Sequence, residues 1–164
     1  MGHEMPEAAA SRAASLPPNS AHNERPHPMT LTLNDARALA DHVFASAQER
    51  GLGVSCSVVD ASGHELLTAR MDDARWFTPG IARSKAQSAH VTRQPSADLA
   101  PLAERLPEVM TQINAQVGFP FTTLGGGLPV GPASALLGAI GVSGATTEED
   151  IELAAAAIAA LALG

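Results

Sequence analysis

Between Val54 and Met71 the chain holds two strand-like runs joined by a tight turn, and that hairpin rules out an all-helical fold. In Val54-Ser55-Cys56-Ser57-Val58 the apolar residues take alternate positions, the period of a half-buried strand. Asp60-Ala61-Ser62-Gly63 supplies turn chemistry, and His64 to Met71 returns as the partner strand. Asp72, Asp73 and Arg75 mark the loop that follows.

Helical signals lie on either side. Thr32-x-x-Asp35 has the form of a capping box with Asp in place of Glu. Leu33, Ala36, Ala40, Val43, Phe44 and Ala47 then recur on one face, with Arg37, Asp41, His42 and Glu49 away from it, and Gly51 closes the helix. Thr78-Pro79 opens a second helix that runs to about Arg93. Ser96 caps a further short helix, and Leu106 to Val117 forms another. Phe119 to Val130, with Gly125-Gly126-Gly127 and Pro129, reads as an irregular or edge strand. Leu136 to Ser143 is a strand of small residues containing Gly138 and Gly141. Thr147-x-x-Asp150 opens a last, alanine-rich helix from Glu148 to Leu163. Helix, two strands, several helices, two strands and helix predict an α+β domain. Its central antiparallel sheet would have about five strands, with helices on its faces.

At 164 residues and 45% hydrophobic content the chain suffices for one domain with a real core, placed over 30–164. Residues 1–29 carry Pro6, Pro17, Pro18, Pro26 and Pro28 with almost no aliphatic side chains, which predicts a disordered tail. Met29 offers an alternative start. No run resembles a secretory signal or a membrane span. A net charge of −7 argues against general affinity for nucleic acid or anionic membranes. With Cys56 as its one cysteine the chain makes no internal disulfide, which fits a reducing compartment, the cytoplasm by default.

Among residues able to carry chemistry, Lys85 is the most informative. It shares a helix face with Ile81, Ala82, Ala86 and Ala89. It either snorkels to solvent past them or reaches a ligand site as an ion-pair partner or acid/base group. Gly125, Gly126 and Gly127 either cradle an anionic group with backbone amides or only form a bulge. They lack the Lys-Ser/Thr of a P-loop, and Gly141-Val142-Ser143-Gly144 lacks the spacing of a nucleophile elbow. His3, His22 and His27 lie in the tail, His42 opposite the apolar stripe, and His64 next to a turn. His90, one turn beyond Lys85 and Ala86, is the candidate metal (axial) ligand or acid/base group. Arg70 and Asp72 suit an ion pair or a loop anchor. Trp76 and Phe77, like Phe119 and Phe121, belong to core or interface, or else wall a planar ligand. No pair of histidines has zinc-site spacing.

Several patches taken in register resemble the GlcG/HbpS-like family, which includes the C-terminal domain of PduO cobalamin adenosyltransferases. They are Leu31-Thr32-Leu33-x-x-Ala36, Val58-Val59-Asp60-Ala61-x-Gly63-His64, Arg70-Met71-Asp72, and Ala82-x-x-Lys85-Ala86. Gly126-Gly127-Leu128-Pro129-Val130 and Gly138-Ala139-Ile140-Gly141-Val142-Ser143-Gly144 follow, then Asp150. The resemblance implies a profilin-like α/β/α layered fold, homo-oligomers, and haem or corrinoid-related binding in some members. Trp76-Phe77 stands where many relatives carry smaller residues, which implies an altered pocket.

Three functions follow as expectations. The first is haem or tetrapyrrole binding, with His90 or a weaker oxygen ligand at the metal, Lys85 or Arg70 near the propionates, and Trp76, Phe77, Phe121 and the glycines around the ring. The second is a cofactor-independent enzyme for proton-transfer or lyase chemistry on a small anionic intermediate, with Lys85 as acid/base group and the glycine loop as an anion cradle. The third is a non-catalytic homo-oligomer packed through the narrow C-terminal helix.

Overall fold

The computed structural model describes residues 30–163, so the disordered tail expected over 1–29 lies outside the described residues. Helix α1 spans Leu33–Glu49 and starts with the expected capping box. The Asp35 amide donates to Thr32 Oγ1 (3.2 Å) and the Thr32 amide donates to Asp35 Oδ2 (2.8 Å). Asp is one methylene shorter than the usual Glu and still closes the box. The buried stripe is Ala36, Leu39, Ala40, Val43 and Ala47. Leu33, expected on that stripe, sits in the first turn and is exposed, and Leu39 is the large side chain that fills the core.

Strands β1 (Ser55–Asp60) and β2 (Glu65–Arg70) form the hairpin, with a bulge between Val58 and Val59. Strands β3 (Gly127–Val130) and β4 (Gly138–Ser143) complete an antiparallel sheet in the order β2-β1-β4-β3. The described residues thus hold four strands rather than about five. The edge strand expected from Phe119 begins only at Gly127. Pro120 lacks an amide proton for a ladder, and Phe119 and Phe121 stack on each other at 5.3 Å.

Alternation along β1 and β4 sorts side chains to two faces. Cys56, Val58, Ile140 and Val142 join α1 and helix α5 (Thr147–Ala160) in the main core. Val59 and Ala139 meet Ala86 and Ala89 of helix α2 (Thr78–Thr92) on the other face. The three layers are α1/α5, sheet and α2.

Small residues let α2 come very close. A Cβ at Gly141 would lie 2.1 Å from the Ala82 carbonyl oxygen, and one at Gly127 would lie 2.3 Å from that of Lys85. The helix backbone therefore rests on β3 and β4 with no side chain between. Thr78, expected to cap α2, instead donates to the Arg75 carbonyl (2.8 Å) and meets Ser55 Oγ (2.7 Å). A 3-10 turn (Ser96–Leu99), α3 (Ala100–Arg105) and α4 (Pro107–Gln116) connect α2 to β3. Of α4 only Met110 is buried. Among the described residues no helix is long and apolar enough to cross a membrane.

Candidate functional site

Lys85 lies on the sheet-facing side of α2 and is only 3% exposed. It does not snorkel. Its Nζ donates to Asp150 Oδ2 at 2.7 Å and to the Val142 carbonyl at 2.8 Å. Asp150, on the first turn of α5, is equally buried and accepts the Ala145 amide on Oδ1 (3.1 Å). Burial pushes the Lys85 ammonium below its ordinary range, with the contact to Asp150 pulling it back. Burial likewise pushes the Asp150 carboxyl up, opposed by Lys85 and by the amides of Ala145 and Gly144. Both shifts act in the direction of the pair's neutral forms.

Asp150 was expected in the capping box of the last helix. The box is one residue earlier: the Glu149 amide donates to Thr146 Oγ1 (3.3 Å) and the Thr146 amide to Glu149 Oε2 (3.0 Å). Thr146-Thr147 and Glu149-Asp150 allow both registers in sequence. The structure uses the one that leaves Asp150 free to face Lys85. The local pattern thus masked Asp150. One compositional signal was available: Lys85 is the only lysine in the chain, and solitary buried ammonium groups carry specific partners.

The glycine run assembles the pair. At Gly126 (φ +105°) a Cβ would lie 3.1 Å from Lys85 Nζ and 2.8 Å from Asp150 Cβ, so only glycine lets these side chains meet there. Gly125 packs under Thr147 and Ile151. The Gly127 amide donates to Ser96 Oγ (3.0 Å), whose own hydroxyl donates to the Leu124 carbonyl (2.6 Å). Ser96 therefore staples the glycine strand, where it was expected as a helix cap, and protein atoms fill the space over all three glycines.

Beside the pair lies a hollow of about 220 Å³ lined by Lys85, Asp150, Ser143, Thr78, Arg75 and Phe77. Phe77, Ile81 and Leu124 also line a neighbouring groove of about 530 Å³ along α2. Phe119, Phe121, Arg83 and Gln87 complete its walls. Gln87 Oε1 is buried without a hydrogen-bond partner.

The remaining candidates lie elsewhere. His90 Nε2 is 3.0 Å from the Ala61 carbonyl, an acceptor only, so Nε2 carries the proton. The ring packs against Gly63 at the hairpin turn and is not brought to Lys85. Arg70 donates to the carbonyls of Asp72 and Ala74, which makes it an anchor for the loop after β2. It lines a separate cleft with Asp41, Asp72 and Asp73, a set that repels anions. Trp76 is 85% exposed and meets Phe77 edge-on at 5.9 Å. His42 is half-buried, and His64 is exposed near Asp60. Among the described residues no three His, Cys, Asp or Glu side chains form a metal-binding group.

A family model described as "Haem degrading protein HbpS-like" matches residues 31–159. The corrinoid adenosyltransferase PduO of Salmonella typhimurium (strain LT2) is 30% identical over 152 residues, which are 93% of this chain and 44% of that protein. The chain therefore spans less than half the length of that relative. The crystal structure of Klebsiella pneumoniae protein ORFY superposes with a TM-score of 0.74 at 32% identity, covering 87% of this chain and 98% of ORFY. A crystal structure of a PduOC–haem complex gives a TM-score of 0.72 at 29% identity, covering 82% of this chain and 97% of PduOC.

Proposed function

The chain belongs to the HbpS-like family, and on that footing we propose that it binds haem or a related tetrapyrrole in the aromatic groove along α2. The carrying observation is the groove of about 530 Å³ with Phe77, Phe119 and Phe121 in its walls. That volume lies within the range of organic-ligand pockets, and planar aromatic walls suit a planar ring. Arg83, tied to Glu65 at the rim, is placed to take a propionate. Gln87 supplies an unpartnered amide oxygen, an acceptor for a donor group of the ligand. The similarity to PduOC, crystallised with haem, supports the same reading.

The groove residues fit the ring and its carboxylates better than they fit the iron. No His, Cys or Met lines it. His90 serves as the axial ligand only if Nε2 leaves the Ala61 carbonyl or Nδ1 is used. Bound haem would supply redox and oxygen chemistry. The protein's own part is to hold the ring away from water and fix its carboxylates. Titration of the protein with haemin tests this. A saturable, stoichiometric Soret shift is expected, weakened in Phe121→Ala and Arg83→Ala. An unperturbed free-haemin spectrum overturns the proposal, and a His90→Ala spectrum identical to wild type removes His90 from the iron.

We further propose that the chain assembles into homo-oligomers. The support is Trp76, whose 85% exposure is unusual for the largest apolar side chain, and the small exposed residues Ala155, Ala156, Ala159 and Ala160 of α5. Sedimentation equilibrium giving a monomer mass would overturn it.

A further inference from the structure

Lys85 is the one lysine of the chain, and it is buried at the edge of a small polar hollow instead of standing in solvent. An ammonium has three donor directions. Two are taken, by Asp150 Oδ2 and the Val142 carbonyl. Lys85 lines the hollow, so the third direction is the one left for an occupant. Ser143 also lines it, 5% exposed and with no side-chain hydrogen bond among the described residues. Arg75 lies exposed at the same hollow and takes no part in an ion pair among the described residues. A well-packed apolar pair would join α2 to α5 without the desolvation cost of two buried charges. The arrangement is better accounted for by chemistry than by packing.

We propose that Lys85 forms a reversible imine with a small 2-oxo acid held in this hollow. The Lys85 ammonium gives a proton to Asp150 Oδ2, and rotation about the Cε–Nζ bond turns the freed lone pair to the hollow while one N–H stays on the Val142 carbonyl. The nitrogen attacks the ketone carbon, and the C=O π electrons pass to oxygen. That oxygen takes the proton from Asp150, giving the neutral carbinolamine through loss of a nitrogen proton to the carboxylate. Protonation of the hydroxyl then expels water, and the C=N bond forms. The balance is amine plus ketone to imine plus water, with no oxidant or reductant. Arg75 pairs with the substrate carboxylate, and Ser143 donates to the carbinolamine oxygen. Burial lowers the basicity of Lys85 and so raises the share of free amine above that of an exposed lysine. A hollow of about 220 Å³ lies below the usual range for larger organic ligands and restricts the substrate to a few carbons. The hollow adjoins the tetrapyrrole groove and shares Phe77, Ile81 and Leu124 with it, so the test uses haem-free protein.

The haem-free wild-type chain is incubated with pyruvate and sodium cyanoborohydride, cleaved at arginine, and read by mass spectrometry. The expected result is a stable reduced adduct on the peptide between Arg83 and Arg93, saturating with pyruvate. Because the only other amine is the chain's N-terminus, its labelling serves as the internal control. Propanal, which lacks the carboxylate, is expected to label Lys85 at higher concentration. Arg75→Ala, a surface change, is expected to raise the pyruvate concentration for half-labelling about tenfold and leave propanal unaffected. An N-terminal adduct with none on the Lys85 peptide overturns the proposal. Equal effects of Arg75→Ala on both carbonyl compounds overturn the assignment of 2-oxo acids.

Discussion

Lys85 Nζ and Asp150 Oδ2 lie 2.7 Å apart across the junction of α2 and α5, although 65 positions separate them in the chain. Each is about nine-tenths or more withdrawn from solvent, so each is costly without the other. Removing one partner of a buried pair leaves an uncompensated charge, whereas replacing both restores an ordinary core contact. Lys85→Met or Asp150→Leu alone is expected to lower unfolding free energy by about 3–5 kcal/mol, and the double variant to recover most of it. Urea denaturation of the three variants measures the difference. Additive losses in the double variant would contradict the pairing.

Close approach of α2 to the sheet makes Gly141 a position where one methyl group is expensive. Its Cβ would enter the Ala82 carbonyl, a backbone atom that moves only if the helix moves. Gly141→Ala is expected to cost about 3 kcal/mol or more. Gly80, on the same helix with nothing near its Cβ position, is the control: Gly80→Ala is expected to stabilise by up to about 1 kcal/mol. Urea midpoints for both variants distinguish helix packing from helix propensity.

Capping assigns different roles to two adjacent threonines. Thr146→Ala removes the acceptor for the Glu149 amide and is expected to cost about 1 kcal/mol. Thr147→Ala removes an exposed side chain and is expected to cost less than about 0.5 kcal/mol. The reverse ranking in thermal unfolding would restore the Thr147–Asp150 register.

Burial pushes the Cys56 thiol up to about 12 from 9.0. A group whose folded pKa is raised favours the folded state below its unfolded pKa and loses that contribution as pH rises through the folded value. Stability is therefore expected to fall between pH 9.0 and about 12, and the fall is expected to be shallower in Cys56→Ala. Denaturant midpoints across that range measure the slope. In the folded protein at pH 8 iodoacetamide is expected to leave Cys56 unmodified, with alkylation tracking global unfolding.

Much of the fold was legible because its signals are local. Strand alternation at Val54–Val58, the turn at Asp60–Gly63 and the box at Thr32–Asp35 each depend on neighbours within a few positions. So do the two helices that begin near Pro79 and Glu148. The family was legible from the register of patches that are individually weak. The Phe119 segment misled because its composition suits an edge strand, while Pro120 and ring stacking take it out of the ladder.

The site divided differently. Sequence alone determined that Lys85 stands among small apolar residues on one helix face and that glycines permit close backbone approach. It left open whether that approach serves a ligand or the protein. The tertiary structure decided that α2 itself fills the space over Gly127 and Gly141, that Asp150 faces Lys85, and that His90 turns to the hairpin at Ala61. The physical reason is range. Capping, turns and alternation are settled within a few residues, whereas a buried charge finds its partner only when helices distant in sequence are packed on the same sheet.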